Sequence, residues 1–393
     1  MTTATHPATG PAVPAAAPRY APFARTLVVF SITAMLATGQ LYGLIPLVNA
    51  IAADWQTTPT AVTWLMTVYG FGYAAGFLLF GPLSDRYGRR RVIVTGVAAT
   101  AVTTLLVATA PGLGAAVALR IVQGMTMGAF PPVAMAYVGE RIEPRRRLVT
   151  VTMMTTGFLA AAVVGQLAAQ WLAGFGWRLF FVAGAAAFTV AAAALRWAML
   201  PDGPVSDASP LDAYRIMPSL LRSPGLRLLY AAVPTVLTAF VAIYTGLQLT
   251  GISGLLGLRA SALPVILAIP FLTPQLARIP GPRRAAVALA MAAAGTALIG
   301  LLTPSTVGLA LLLMLVTAGI AVAAPSLVDT IGSRAGTARG PAISLFTALL
   351  FAGASLGPQV AGLLADHGIA PLAFALTGML TVGAALTLAA RRS

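Results

Sequence analysis

GPLSDRYGRRR, residues 81–91, joins two long apolar runs. The first ends FGYAAGFLLF (71–80) and the second begins VIVTGVAAT (92–100). One acid, four arginines and two glycines in so short a connection need explaining, and composition supplies the frame. Of 393 residues, 59% are hydrophobic and 8% charged, and the mean hydropathy is +0.90. A soluble domain coats itself with roughly a quarter charged residues, which this chain cannot supply. Apolar runs of about 18 residues or more recur along it, each long enough for roughly 30 Å of hydrocarbon. They are continuous rather than alternating, so helices and not barrel strands are expected.

The net charge is +15 and all 24 basic residues are Arg. They lie in short loops between apolar runs, which is a topology signal and not a nucleic-acid footprint. There is no Cys, which excludes disulfides and thiolate metal sites; no metal or cofactor is expected. Residues 1–25 are Pro- and Ala-rich without an apolar centre, and are expected to be a disordered cytoplasmic tail.

Spans are expected near 26–52, 60–83, 91–110, 112–138, 148–173 and 178–200, then near 226–250, 262–278, 285–303, 305–330, 340–366 and 369–390. The division is 1–25 tail, 26–200 first six-helix bundle, 201–225 cytoplasmic linker and 226–393 second bundle. Within the linker, LDAYRIMPSLLR (211–222) reads either as a short surface helix or as plain linker. The loops after spans 2, 4, 6, 8 and 10 hold nearly all the loop arginines, whereas the opposite loops hold only Arg178 and Arg259. Both termini are therefore expected in the cytoplasm, in a multi-pass protein of the inner membrane. Offsets of 192–193 align Gly88 with Gly281, Arg90 with Arg283, Pro132 with Pro325, Arg147 with Arg339 and Gly165 with Gly357. That repetition indicates duplicated halves, a common plan in secondary transporters.

The opening loop has the pattern G-x-L-x-D-R-x-G-R-R. Gly81 is expected to let the end of span 2 approach a neighbour. Asp85 is placed to meet a helix N-terminus or an arginine. Gly88 permits a turn with positive φ, and Arg89, Arg90 and Arg91 stay among head groups. With Gly81, Leu83, Asp85, Arg86, Gly88, Arg89 and Arg90 in place, the loop resembles the signature of the major facilitator superfamily. The resemblance covers the chain from about residue 26. It implies an all-α membrane protein of twelve transmembrane helices in two pseudo-symmetric six-helix bundles. The corresponding loop of the second half, LARIPGPRR (276–284), puts Arg278 where the first has Asp85, so the clasp is expected to be one-sided.

LRIVQGMTMGAFPP (119–132) resembles the family's R-x-x-Q-G motif in helix 4, around Arg120, Gln123 and Gly124. A lone intramembrane Arg faces a wet cavity or a partner. In related exporters this position is associated with proton transfer or substrate contact; the other reading braces span 4 against span 1 through carbonyls or Gln40. Gly124 and Gly128 form a close-packing face, and Pro131 and Pro132 are expected to kink the span. The Gly-Pro pair of drug–proton antiporters is replaced in span 5 by Gly165–Gln166. Gln166 and Gln170 present two amides either to a cavity or to a neighbouring helix.

Spans 1, 4, 7 and 10 line the cavity in this family, which makes Gln40, Tyr42, Asn49, Arg120, Gln123, Tyr230, Tyr244 and Gln248 candidates for contact or for packing. An apolar pocket with a few amides and phenols suits an amphipathic organic molecule. None of the nine acids falls near mid-membrane, so Asp329, Asp85 and Arg120 are the weak candidates for proton coupling. A membrane-embedded enzyme would need converging catalytic groups, and an ATP-driven pump a phosphate loop with its Lys; neither is present. The expected function is a secondary transporter, a proton-coupled exporter of a drug or metabolite. An uptake permease is the alternative. The expected partners are the substrate, protons and membrane lipids, and a monomer suffices.

Overall fold

The computed structural model describes residues 20–203, 218–252, 254–276, 278–302 and 304–391. The described residues form helices and turns and contain no strand. Among the described residues, eleven helices are long and apolar enough to cross a membrane: α1 Phe23–Asp54, α2 Pro59–Tyr87, α3 Arg89–Ala108, α4 Leu113–Arg141, α5 Pro144–Ala173, α6 Arg178–Ala198, α7 Pro224–Leu249, α9 Gly281–Leu302, α10 Thr306–Arg334, α11 Arg339–His367 and α12 Ile369–Ala389. In the eighth place stand a short helix, Leu255–Ala260, and then α8, Ala262–Leu276. Ser261 alone separates the two, so the segment runs from Leu255 to Leu276. Residues 1–19 of the expected tail and 211–217 of the surface-helix segment lie outside the described residues, while Phe23–Arg25, expected in the tail, begin α1.

Two spans break where the sequence demands it. Helix geometry in α1 gives way after Tyr42 to a tight turn, Ile45–Leu47, containing Pro46. In α4 it stops at Met127 and restarts at Pro131, because proline at a first helical position has no N–H to leave unsatisfied. Buried hydroxyls bond the carbonyl one turn back, as Thr38 does to Ala34 at 2.9 Å and Thr104 to Thr100 at 2.6 Å. Such bonds satisfy a hydroxyl within its own helix, as lipid favours.

The halves repeat one packing plan. In the first half α1 packs on α5 and α6, α3 on α4 and α6, and α2 on α4. In the second, α7 packs on α11 and α12, α9 on α10 and α12, and α8 on α10. Glycines set the closest crossings. A Cβ on Gly165 of α5 would lie 2.9 Å from Gly39 Cα of α1, and one on Gly357 of α11 would lie 2.8 Å from Val241 Cβ of α7. In α4 a Cβ on Gly128 would lie 2.6 Å from Gly76 Cα of α2, and one on Gly124 would run into Tyr69 O. Gly81 departs from expectation: nothing lies within 4 Å of its Cβ direction. Gly128→Leu should therefore lower stability by about 1–3 kcal/mol, read as a lower melting temperature in detergent, while Gly81→Leu should leave it unchanged.

Candidate functional site

Call the basic end the one where the α2–α3, α4–α5, α8–α9 and α10–α11 loops lie, and the far end its opposite. The described hydrogen bonds between the halves all lie toward the far end. The antiparallel helices α2 and α11 form one seam. The Thr67 hydroxyl donates to Ser355 O at 2.8 Å, and Gln359 Nε2 donates to Thr67 Oγ1 at 2.9 Å and Thr63 Oγ1 at 3.3 Å. One turn further out, Thr60 meets Gly362. Toward mid-membrane, Phe351 packs on Tyr73 and Phe77, with ring centroids 4.8 and 5.3 Å apart.

The second seam joins α5 to the segment before α8. Arg259 is 2% exposed and donates from Nε to Gln166 Oε1 at 2.9 Å, from Nη1 to Gln170 Oε1, and from Nη2 to Gln248 Oε1 at 2.5 Å. Gln166 and Gln170 belong to the first half, Gln248 and Arg259 to the second. Among the described residues no carboxylate pairs with Arg259. Between the seams, Tyr42 of α1 meets Phe240 of α7 edge-on, with centroids 5.9 Å apart.

Arg120 lies elsewhere. It is fully buried inside the first bundle, donating to Leu65 O at 3.0 Å, Gln40 O at 3.1 Å and Gln123 Oε1 at 2.8 Å. Its guanidinium stacks 4.1 Å over the Tyr69 ring. Gln123 in turn donates to Thr104 at 2.6 Å and reaches the Gln40 amide oxygen at 3.4 Å. Arg120, Gln123 and Gln40 therefore form a brace among α1, α2, α3 and α4. They do not line the face between halves, because every hydrogen-bonding nitrogen of Arg120 is turned to its own bundle.

The signature loop is also occupied within one half. Gly88 has φ +93, the turn that α3 needs in order to start at once. Arg89 is 7% exposed and pairs with Asp85, with Glu140 of α4 at 2.9 Å, and with the Ser84 hydroxyl. The carboxylate of Asp202, just beyond α6, accepts from the Arg90 backbone N–H at 3.1 and 3.2 Å. An acid there complements the positive end of the α3 dipole. Leu83 is half-buried and Arg86 exposed. The second half carries its own version: Arg284 at the start of α9 donates to Ser326 at 2.7 Å and reaches Asp329 of α10 at 3.4 Å. An arginine–acid pair joins α9 to α10 as one joins α3 to α4, but the second half has Arg278 and no acid at the place of Asp85. Asp329 sits at the basic end with its side chain 66% exposed, away from mid-membrane.

Sequence reading named Gln166 and Gln248, which bond Arg259, Tyr42, which meets Phe240 of the other half, and Tyr244, which packs on Phe240. It missed Thr63, Thr67, Ser355 and Gln359, whose signal was a polar residue every third or fourth position along α2 and α11. It also counted Arg259 as a mere loop charge.

Fold and site together define a multi-pass helical membrane protein of two repeated halves, joined at one end. A Major Facilitator Superfamily profile matches residues 30–358, and the chain belongs to that family, which places it with transporters rather than enzymes. It is 30% identical over 256 residues to a protein of Streptomyces coelicolor named a probable transporter, covering 60% of this chain and 58% of that one. It is 30% identical over 142 residues to a niacin transporter of Acinetobacter baylyi, covering 35% and 32%. It is 31% identical over 135 residues to a multidrug resistance protein B homolog of Mycobacterium tuberculosis, covering 34% and 25%. The chain thus spans less than two thirds of the length of these relatives.

The α2–α11 seam can be trapped. A Cβ on Gly362 would lie 3.9 Å from Thr60 Cβ, within disulfide range, and the chain has no other thiol. Thr60→Cys with Gly362→Cys should cross-link under mild oxidant, read as a shift on non-reducing gels that dithiothreitol reverses. No cross-link would contradict the seam.

Proposed function

We propose that the protein is a secondary transporter that moves a small amphipathic organic molecule across the cytoplasmic membrane by alternating access, as an exporter. The observation that carries this reading is the pair of pseudo-symmetric seams, α2 with α11 and α5 with the α8 segment, confined to one end of the two bundles. Rigid halves joined at one end have a second arrangement in which they join at the other, and rocking between the two exposes a central site to each side in turn. Arginine asymmetry supports a cytoplasmic basic end, so the arrangement described is the one shut toward the outside.

The signature loop fits a switch better than a static latch. Arg89 is shared by Asp85 and Glu140 within the first bundle, and these groups become available to the second half only when the basic ends close. Proton coupling, implied by the family resemblance, has Asp85, Glu140 and Asp329 as its candidate carriers, all at the basic end. Uptake is the second reading, favoured by the niacin transporter among the relatives, as the multidrug homolog favours export.

Cells with and without the protein, challenged with a panel of toxic organic compounds, should differ in resistance to at least one. Efflux of that compound from loaded vesicles should rise with an imposed pH gradient; equal rates would remove proton coupling. Asp85→Asn should lower the maximal rate about tenfold with the apparent KM unchanged, and a change in KM alone would count against the switch role.

A further inference from the structure

Two helices of the first bundle that belong to neither seam, α3 and α6, pack together. At their basic ends lies a cavity of about 360 Å³, lined by Arg90, Arg91, Val94 and Thr95 of α3, Arg196 of α6 and Asp202 just beyond it. That is far larger than the single-water voids of a packed interior. The Arg90 Nη2 donates to Arg196 O at 2.5 Å, but its Nε is buried and completes no hydrogen bond. A buried N–H without a partner calls for an acceptor. The acid in the lining, Asp202, is already engaged: both its oxygens accept from the Arg90 backbone N–H, at 3.1 and 3.2 Å, at the positive end of the α3 dipole. Three guanidiniums against one engaged carboxylate leave the lining with surplus positive charge.

The cavity lies at head-group depth. Trp197, next to Arg196, is 62% exposed, with Arg25 stacked 4.9 Å over its ring, and an exposed Trp at the end of a span marks the membrane–water interface. From Val94 one face of α3 continues at helical spacing through Ala98 and Val102 to Leu105, all three exposed. On α6 a similar strip runs back from Arg196 through Ala193, Val190 and Ala186, also exposed. A basic cavity continuous with two apolar, lipid-facing strips has the form of a phospholipid site, with phosphate at the cavity and acyl chains along the strips. We infer that the α3–α6 cavity binds the phosphodiester of an anionic phospholipid from the leaflet at the basic end, held by Arg90, Arg91 and Arg196. Arginine matches phosphate oxygens in charge and geometry, and basic pockets between spans suit such head groups. A choline head group would bring its own cation toward three guanidiniums, and free phosphate would leave the apolar strips uncovered. Such a site is independent of the cargo and of the direction of transport.

The test reads binding and not flux. Full-length protein in detergent is titrated with short-chain phosphatidylglycerol, short-chain phosphatidylcholine and inorganic phosphate, and bound lipid is followed by native mass spectrometry. The tightest phosphatidylglycerol should bind about tenfold more tightly than phosphatidylcholine, or better, and equimolar phosphate should not displace it. Arg91→Gln with Arg196→Gln removes two exposed guanidiniums from the cavity and should weaken that binding about tenfold. Arg222→Gln with Arg227→Gln removes the same charge from exposed positions elsewhere at the basic end and should change it by less than about twofold. Equal losses in the two double variants would reduce the effect to general surface charge and overturn the inference. Phosphatidylcholine binding as tightly, or no loss on removing Arg91 and Arg196, would overturn it too. Displacement by equimolar phosphate would make the cavity a free-phosphate site and overturn the lipid assignment.

Discussion

One guanidinium holds two rigid bodies together at the end away from the arginine-rich loops. Arg259 reaches from the second half into the first, where it meets Gln166 and Gln170. Hydrogen bonds to a charged group contribute about 1.5–3 kcal/mol each. Losing both without replacement costs on the order of 3–6 kcal/mol, a population shift of about 10²- to 10⁴-fold. The far end therefore stays shut unless another acceptor takes over. The α2–α11 seam adds neutral bonds from Thr67 and Gln359, which water replaces at little cost. The charged seam is thus the costlier of the two to break without a replacement acceptor.

The signature loop at the other end does a different job in this state. Asp85, Arg89, Ser84 and Glu140 close a network within the first bundle, and Asp202 ties the start of the linker to the α3 N-terminus. Arg284 and Asp329 repeat the theme in the second bundle. Each half thus keeps its basic end rigid on its own, as rigid-body rocking requires: a half that loosened at its basic end would absorb the motion instead of transmitting it.

Most of the fold was legible because lipid imposes a simple rule: a continuous apolar run of sufficient length is a helix. Arginine placement then confirmed the count. The eighth span was read from residue 262, whereas helix already begins at Leu255 and is interrupted only at Ser261. The site was less legible, and the reason is geometric. Periodicity says that Gln123 and Arg120 share a face, but not whether that face meets its own bundle or the opposite half. Arg120 turned inward and Arg259 outward toward the partner half, although by sequence Arg120 had the stronger motif. Asp202 was unreadable as a helix cap, because it lies 112 residues from the N–H it accepts from.

The central claim is that the Arg259 seam holds the far end shut while the basic ends stand apart. The chain has no cysteine, so spin labels can be placed freely. Exposed Phe175 and Val307 report on the far end, and exposed Tyr87 and Ile279 on the basic end. Distance distributions for the two labelled pairs, measured in nanodiscs with and without Arg259→Gln, test the claim most directly. The account predicts a far-end distance that lengthens and a basic-end distance that shortens in the substituted protein. Unchanged distributions, or a far end that opens while the basic end stays where it was, would contradict it.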